Sequence, residues 1–220
     1  MTSPISESTL ERFREAAAGG QASPAGVAVA AVSASFALAL VAKALTVSAR
    51  RDPHRADLAK LEPLAATLRL ESSRMLVLAE SDTAAFEGYL ACVRLPRATD
   101  EERSGRQHAL DAALRQSIDV PLAAARATAS GITLCSQALP MTDLAVLADL
   151  AAAASLLAGA LRAFLVCAES NLSVLGPRDA SQGQRLAQET DRHRHALQLA
   201  EQVLQQVAQA LAAASPGRPD

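Results

Sequence analysis

Ala25-Gly-Val-Ala-Val-Ala-Ala-Val-Ser-Ala-Ser-Phe-Ala-Leu-Ala-Leu-Val-Ala42 is an uncharged stretch in which every second or third residue is alanine. Alanine has the best helix propensity and is depleted in strands. The apolar positions fall on every face of a helix, so this stretch reads as one buried on most sides, from Pro24 at its first position to about Arg50. Its length comes close to the roughly 20 residues that span a bilayer. Gly26, Ser33 and Ser35 dilute its hydropathy, and Lys43 follows directly, a residue type that costs about 3 kcal/mol at the centre of a span. The expectation is a core helix of a soluble bundle, with no membrane.

Composition extends this to the whole chain. Of 220 residues, 50% are apolar, with four Phe, one Tyr and no Trp. Strand-favouring residues are sparse, so the expected fold class is all-α: an antiparallel helical bundle of five to seven helices, one domain over 1–215, with a disordered tail at 216–220.

Helix punctuation supplies the boundaries. Ser6 or Ser8 caps a short first helix, which Gly19 and Gly20 close in the left-handed conformation. Asp52-Pro53 ends the helix begun at Pro24. A third covers about 56–93, with Pro63 expected to kink or restart it. Thr99 before Asp100-Glu101-Glu102 caps the fourth and places acids at its positive end, and Pro121 is expected to bend or break it. A nearly apolar fifth helix runs from about Thr142 to Asn171, before a stop at Gly176-Pro177. The sixth, about 180–213, carries Leu186, Thr190, His193, Leu197, Ala200, Leu204, Val207 and Leu211 as a heptad seam, with Gln198, Gln202, Gln205, Gln206 and Gln209 facing solvent. The second and fifth helices are more apolar than one small bundle can cover, which points to a homodimer.

Charge names no partner: 21 basic residues balance 23 acidic ones without a run of like charge, so no nucleic acid is expected. Cys92, Cys135 and Cys167 lie in apolar sequence and read as buried free thiols of a reducing cytoplasm. The N-terminus lacks the basic and apolar regions of a secretory signal. His193 and His195, two apart on a helix, cannot share an ion, and no metal is expected. Phosphate loops, zinc-protease motifs and nucleophile elbows are absent.

The residue that stands out is Asp82, a carboxylate in an apolar helical segment with Phe86 and Leu90 on the same face. Such a setting raises a carboxyl pKa and suits it to proton transfer near neutrality, whereas on a solvated face it would be an ordinary surface acid.

The stretch Glu80-Ser-Asp-Thr-Ala-Ala-Phe86, then Leu95-Pro96, the acidic helix start at 100–102, and Val120-Pro121-Leu122 together resemble the cyclodeaminase domain of formiminotransferase-cyclodeaminase and the related methenyltetrahydrofolate cyclohydrolases. The resemblance runs from about Ser8 to Leu175 and implies an all-helical bundle that dimerises. It places Asp82 on the family's catalytic aspartate, Glu80 on the acid two before it, Asp149 on an aspartate of the fifth helix, and Asn171-Leu172 on an Asn-Leu pair. The chain departs from the family at Pro24-Ala25-Gly26-Val27-Ala28, which keeps the proline and one glycine of a Pro-Gly-Gly-Gly-Ser motif. It departs again at Thr142-Asp143, where the family has Gly-Asn, and at Cys167, where it has Asn.

The function so implied is a cyclodeaminase or cyclohydrolase of folate one-carbon metabolism, with a tetrahydrofolate derivative as substrate and Asp82 shuttling a proton. Pro24, Gly26, Asp149 and Asn171 would bind substrate, Phe86 and Tyr89 would flank its ring system, and Arg50 with Arg51 would meet its anionic glutamate tail. The alternative is a noncatalytic homologue that kept the bundle and acts as a helical dimer or subunit.

Overall fold

A computed structural model describes residues 4–21, 23–52, 58–175 and 180–214. Among them are six α-helices, α1 (Leu10–Ala18), α2 (Gly26–Arg51), α3 (Leu58–Val93), α4 (Asp100–Ala138), α5 (Leu147–Leu175) and α6 (Ala180–Ala214), with 3₁₀ turns at Ile5–Glu7, Leu139–Met141 and Leu144–Val146. No strand occurs among the described residues. The tail expected at 216–220 and the stops expected at Pro53 and Gly176-Pro177 lie outside the described residues.

Helices α2 to α5 close a ring in which α2 and α4 each pack against both α3 and α5. Neighbours run antiparallel. Ser35 of α2 meets Ser72 of α3 while Ala28 meets Asp82. Gly26 meets Cys167 of α5 while Lys43 meets Asp149, and Ser117 of α4 meets Asn171 while Cys135 meets Leu150. Helix α6 lies outside the ring on α4 and α5. It runs parallel to α4, since Asp119 pairs with Arg185 and Arg126 with Glu189.

Small side chains let the helices approach closely. A Cβ added at Gly131 of α4 would stand 2.7 Å from Leu38 Cδ2 of α2, and the Ser72 hydroxyl donates to the Ser35 carbonyl at 2.9 Å. The core is built from Leu38, Leu45, Leu68, Met75, Leu157 and Phe164 set among alanines. Both α2 and the segment Leu144–Val174 are long and apolar enough to cross a membrane; in the bundle about two-thirds of the most apolar part of α2 is buried, and less than half of that of α5.

Boundaries differ from the sequence reading in physically informative ways. Helix α2 begins at Gly26 with Ala25 as its cap, so Pro24 stands before the helix and not at its first position. Thr9, not Ser6 or Ser8, caps α1 by accepting from the Arg12 N–H, and Gly19 ends it in an extended conformation (φ −74°, ψ 171°) where a left-handed one was expected. Thr99 forms the anticipated cap of α4, reciprocated by the Glu102 side chain. Neither Pro63 nor Pro121 interrupts its helix. Helix α5 starts five residues later than expected, because 3₁₀ turns occupy the approach. In α6 the buried seam is Leu186, Glu189, His193, Ala196, Ala200, Val203 and Val207. The heptad is the expected one at Leu186, His193, Ala200 and Val207, but its alternate positions fall one residue earlier than Thr190, Leu197 and Leu204; the five glutamines are exposed as anticipated. All three cysteines are free, and of them only Cys135 is fully buried.

Candidate active site

At the end of the bundle where α2 begins, a cleft of about 290 Å³ opens between α2, α3, α4 and α5. Its volume is at the small end of the range for ligand sites. Asp82 enters from α3 with Phe86 and Tyr89 one and two turns on, and Gly26 and Val27 from α2 face Cys167 and Asn171 of α5. The Phe86 and Tyr89 rings lie 6.3 Å apart, tilted by 42°.

The electrostatics follow from two opposed effects on Asp82. Burial pushes its pKa up from 3.8 to about 6, while a hydrogen bond from the Ala28 N–H acts in the opposite direction. That N–H belongs to the first turn of α2, where backbone donors have no partner within the helix and the dipole favours an anion. Ala25 offers no side-chain cap, so Asp82 serves α2 as a cap reaching across from α3. Cys167 lies close by: burial raises its thiol pKa, and the Asp82 charge raises it further.

On the opposite wall, Asn171 Nδ2 donates to the Ser117 carbonyl at 2.7 Å. Pro121 has no N–H to bond the carbonyl four residues back, and that carbonyl is Ser117. Asn171 supplies the missing donor, which holds its side chain at the cleft and keeps α4 satisfied through its proline. A small apolar cluster of Ile118, Leu122, Ala168 and Leu186 packs beside this contact.

The family described as Formiminotransferase-cyclodeaminase matches residues 9–192. The chain belongs to that family. It is 32% identical over 146 residues to the Formimidoyltransferase-cyclodeaminase of Sus scrofa, covering 63% of this chain and 27% of that protein. It is 28% identical over 144 residues to the Methenyltetrahydrofolate cyclohydrolase of Methylorubrum extorquens, covering 64% of this chain and 68% of the relative. The chain thus spans about a quarter of the length of the longer relative. A formiminotetrahydrofolate cyclodeaminase from Thermotoga maritima has the same fold, with a TM-score of 0.81 at 18% identity over 94% of this chain and 99% of that one.

Within this cyclodeaminase-family chain, Asp82, Gly26, Phe86, Tyr89 and Asn171 come together in the cleft, and Pro24 lies just outside it, lining two neighbouring grooves. Arg50, Arg51 and Asp149 are placed elsewhere. Arg50 is 24 residues along α2 from Gly26, about 36 Å at the helical rise, and Arg51 pairs with Asp143 at 3.0 Å. Asp149 holds Lys43 at 2.8 Å. Thr142-Asp143 lies at this far end too, where Asp143 caps a 3₁₀ turn through the Ala145 N–H. Glu80 accepts from the Ser6 hydroxyl and N–H, and so tethers the N-terminal turn.

Sequence reasoning missed Ser23, Ser117 and Ser170 as cleft residues. Ser117 was within reach, four residues before a helical proline; Ser23 and Ser170 carry no comparable local signal. No group of three His, Cys, Asp or Glu suited to a metal occurs among the described residues.

Proposed function

We propose that the chain is an enzyme of folate one-carbon chemistry acting on the formimino or methenyl carbon of a tetrahydrofolate, with Asp82 as the proton-transfer group. The observation that carries this reading is the half-buried Asp82 carboxyl, with its pKa raised to about 6, facing a mostly apolar cleft. Near neutrality such a group populates both acid and base forms, which departing ammonia and attacking water respectively require. Phe86 and Tyr89 supply flat apolar surface for a ring system, and Gly26 leaves room for the Cys167 thiol against the first turn of α2.

The test is the spectroscopic decay of methenyltetrahydrofolate and, in parallel, ammonia release from formiminotetrahydrofolate, with spontaneous hydrolysis subtracted. Turnover of either substrate that falls about a hundredfold or more in Asp82→Asn supports the reading. No turnover above background favours the noncatalytic homologue.

A homodimer through α2 and α5 is part of the same proposal. Phe36 and Val29 of α2 and Leu156 and Val166 of α5 are large, apolar and exposed, and a shallow groove through Ser33, Ser155 and Gly159 lies between the two helices. Sedimentation at micromolar concentration is expected to give twice the monomer mass, and Phe36→Glu with Leu156→Glu to give the monomer.

A further inference from the structure

Two contacts cross the gap between the entry to α2 and a single turn of α3. One is the bond from the Ala28 N–H to the Asp82 carboxylate. In the other, Ser23 Oγ donates to Thr83 Oγ1 at 2.9 Å, and the Thr83 hydroxyl passes its own hydrogen back to the Ala79 carbonyl of α3 at 3.4 Å. Ser23 stands five residues before Ala28, and Thr83 directly follows Asp82.

The first turn of α2 needs such a hold. It has no side-chain cap and no acid of its own, and its first helical bond runs from the Val29 N–H to the Ala25 carbonyl. Burial of Val27 and Ala28 fixes the depth of the turn in the bundle. Apolar burial has no direction, however, whereas a hydrogen bond weakens steeply as its angle closes. Between Ser23 and the helix stand only Pro24 and Ala25, and the proline ring locks one of the intervening backbone rotations. A hold on Ser23 is therefore passed to the turn that carries the Ala28 N–H. Ser23 lines the cleft, whereas Thr83 faces the groove under α1 together with Glu80 and Glu87 and is not part of the cleft lining. Thr83 acts on the chemistry only through what it positions.

We propose that Thr83 is a positioning residue: through Ser23 it clamps the start of α2 against α3 and keeps the Ala28 N–H aimed at Asp82. The effect on catalysis rests on the folate reading above; the clamp itself does not.

The experiment uses the full chain with Thr83→Val, which keeps the branched shape and removes the acceptor, and Thr83→Ser, which keeps the hydroxyl. The Ala28 amide proton is followed by NMR through the titration of Asp82, and kcat, KM and the pH profile are measured with formiminotetrahydrofolate and methenyltetrahydrofolate. In the unchanged protein the Ala28 resonance should move with an inflection at about 6. In Thr83→Val that movement should be largely lost, and kcat should fall about tenfold to a hundredfold with KM little changed. The inflection of the pH profile should rise, because the Ala28 bond acts to lower the Asp82 pKa. Serine should restore all three. Ser6→Ala, which breaks a hydroxyl bond to Glu80 on the same stretch of α3, should move none of them. If the valine variant fails to fold, Ser23→Ala removes the donor from the other side and gives the Ala28 readout. An Ala28 response that survives the loss of the hydroxyl bond overturns the proposal, as does an equal effect of Ser6→Ala. An inflection that falls toward 3.8 also overturns it, since the hydroxyls would then only keep water from the carboxyl. Absence of turnover with both substrates overturns the folate reading, and the Ala28 response then decides the clamp by itself.

Discussion

Asn171 donates to the Ser117 carbonyl at 2.7 Å, the one backbone acceptor in α4 that Pro121 deprives of its helical partner. The proline and the asparagine, 50 residues apart, therefore form one device. Asn171→Ala should leave a half-buried carbonyl unpaired and cost about 1 to 3 kcal/mol. In a Pro121→Ala background the restored N–H can bond Ser117, so the same change should cost clearly less. Urea denaturation of the four proteins of this cycle measures the difference, and equal costs in both backgrounds would sink the explanation.

Glycines in this bundle have opposite sensitivities. At Gly131 a Cβ would lie 2.7 Å from Leu38 Cδ2, whereas at Gly88 it would meet nothing within 4 Å. Gly131→Ala should destabilise by roughly 1 to 3 kcal/mol through forced displacement of Leu38 in the core. Gly88→Ala should stabilise by about 0.5 to 1 kcal/mol, because it removes a flexible residue from inside α3, near its C-terminal end. Thermal melts of both variants give the two signs directly.

Asp82 should make stability fall as pH rises. Its folded pKa, about 6, is above the ordinary 3.8, so the folded chain holds the proton more tightly than the unfolded one. The favourable contribution is complete below about 4 and lost as pH rises through 6. Asp82→Asn should therefore be more stable than the unchanged protein at pH 7.5, with the gap closing toward pH 4. The loss of the Ala28 hydrogen bond to a charged acceptor works against this gain. A melting temperature that is lower at pH 7.5 would mean that capping α2 outweighs desolvation.

The fold was legible because it rests on local signals. Alanine content set the class, and Thr99 with Glu102 set the start of α4. The seam of α6 was legible only in period. Leu197 and Leu204 outrank Ala196 and Val203 in hydrophobicity, yet the close approach of α6 to α4 and α5 puts the smaller residues inside and leaves the leucines half-buried. The cleft was legible where residues share a helix face, as Asp82 and Phe86 do. It was not legible across helices: a basic pair at 50–51 reads equally well as ligand contact or helix-end charge, and only the length of α2 separates it from Asp82.

The misplaced alternate seam position explains why a buried acid was overlooked. Glu189 and His193 are both buried between α6 and the bundle. Glu189 Oε1 accepts from Arg126 at 3.0 Å, its Oε2 lies 3.9 Å from His193 Nε2, and Arg192 approaches at 3.6 Å. Burial lowers the His193 pKa; Glu189 opposes the shift, and Arg126 and Arg192 add to it. The unfolded chain therefore takes up a proton first on acidification, so stability present above about 6.5 is lost as pH falls through that value toward the folded pKa. His193→Gln should flatten the fall in urea midpoint between pH 7.5 and 5.5. Arg126→Met gives two readouts of opposite sign. It leaves Glu189 with poorer partners, lowering stability at pH 7.5 by roughly 1 to 3 kcal/mol, yet it removes a charge that disfavours protonated His193, so less stability should be lost on acidification. If this variant loses as much between pH 7.5 and 5.5 as the unchanged protein, Arg126 does not act on His193.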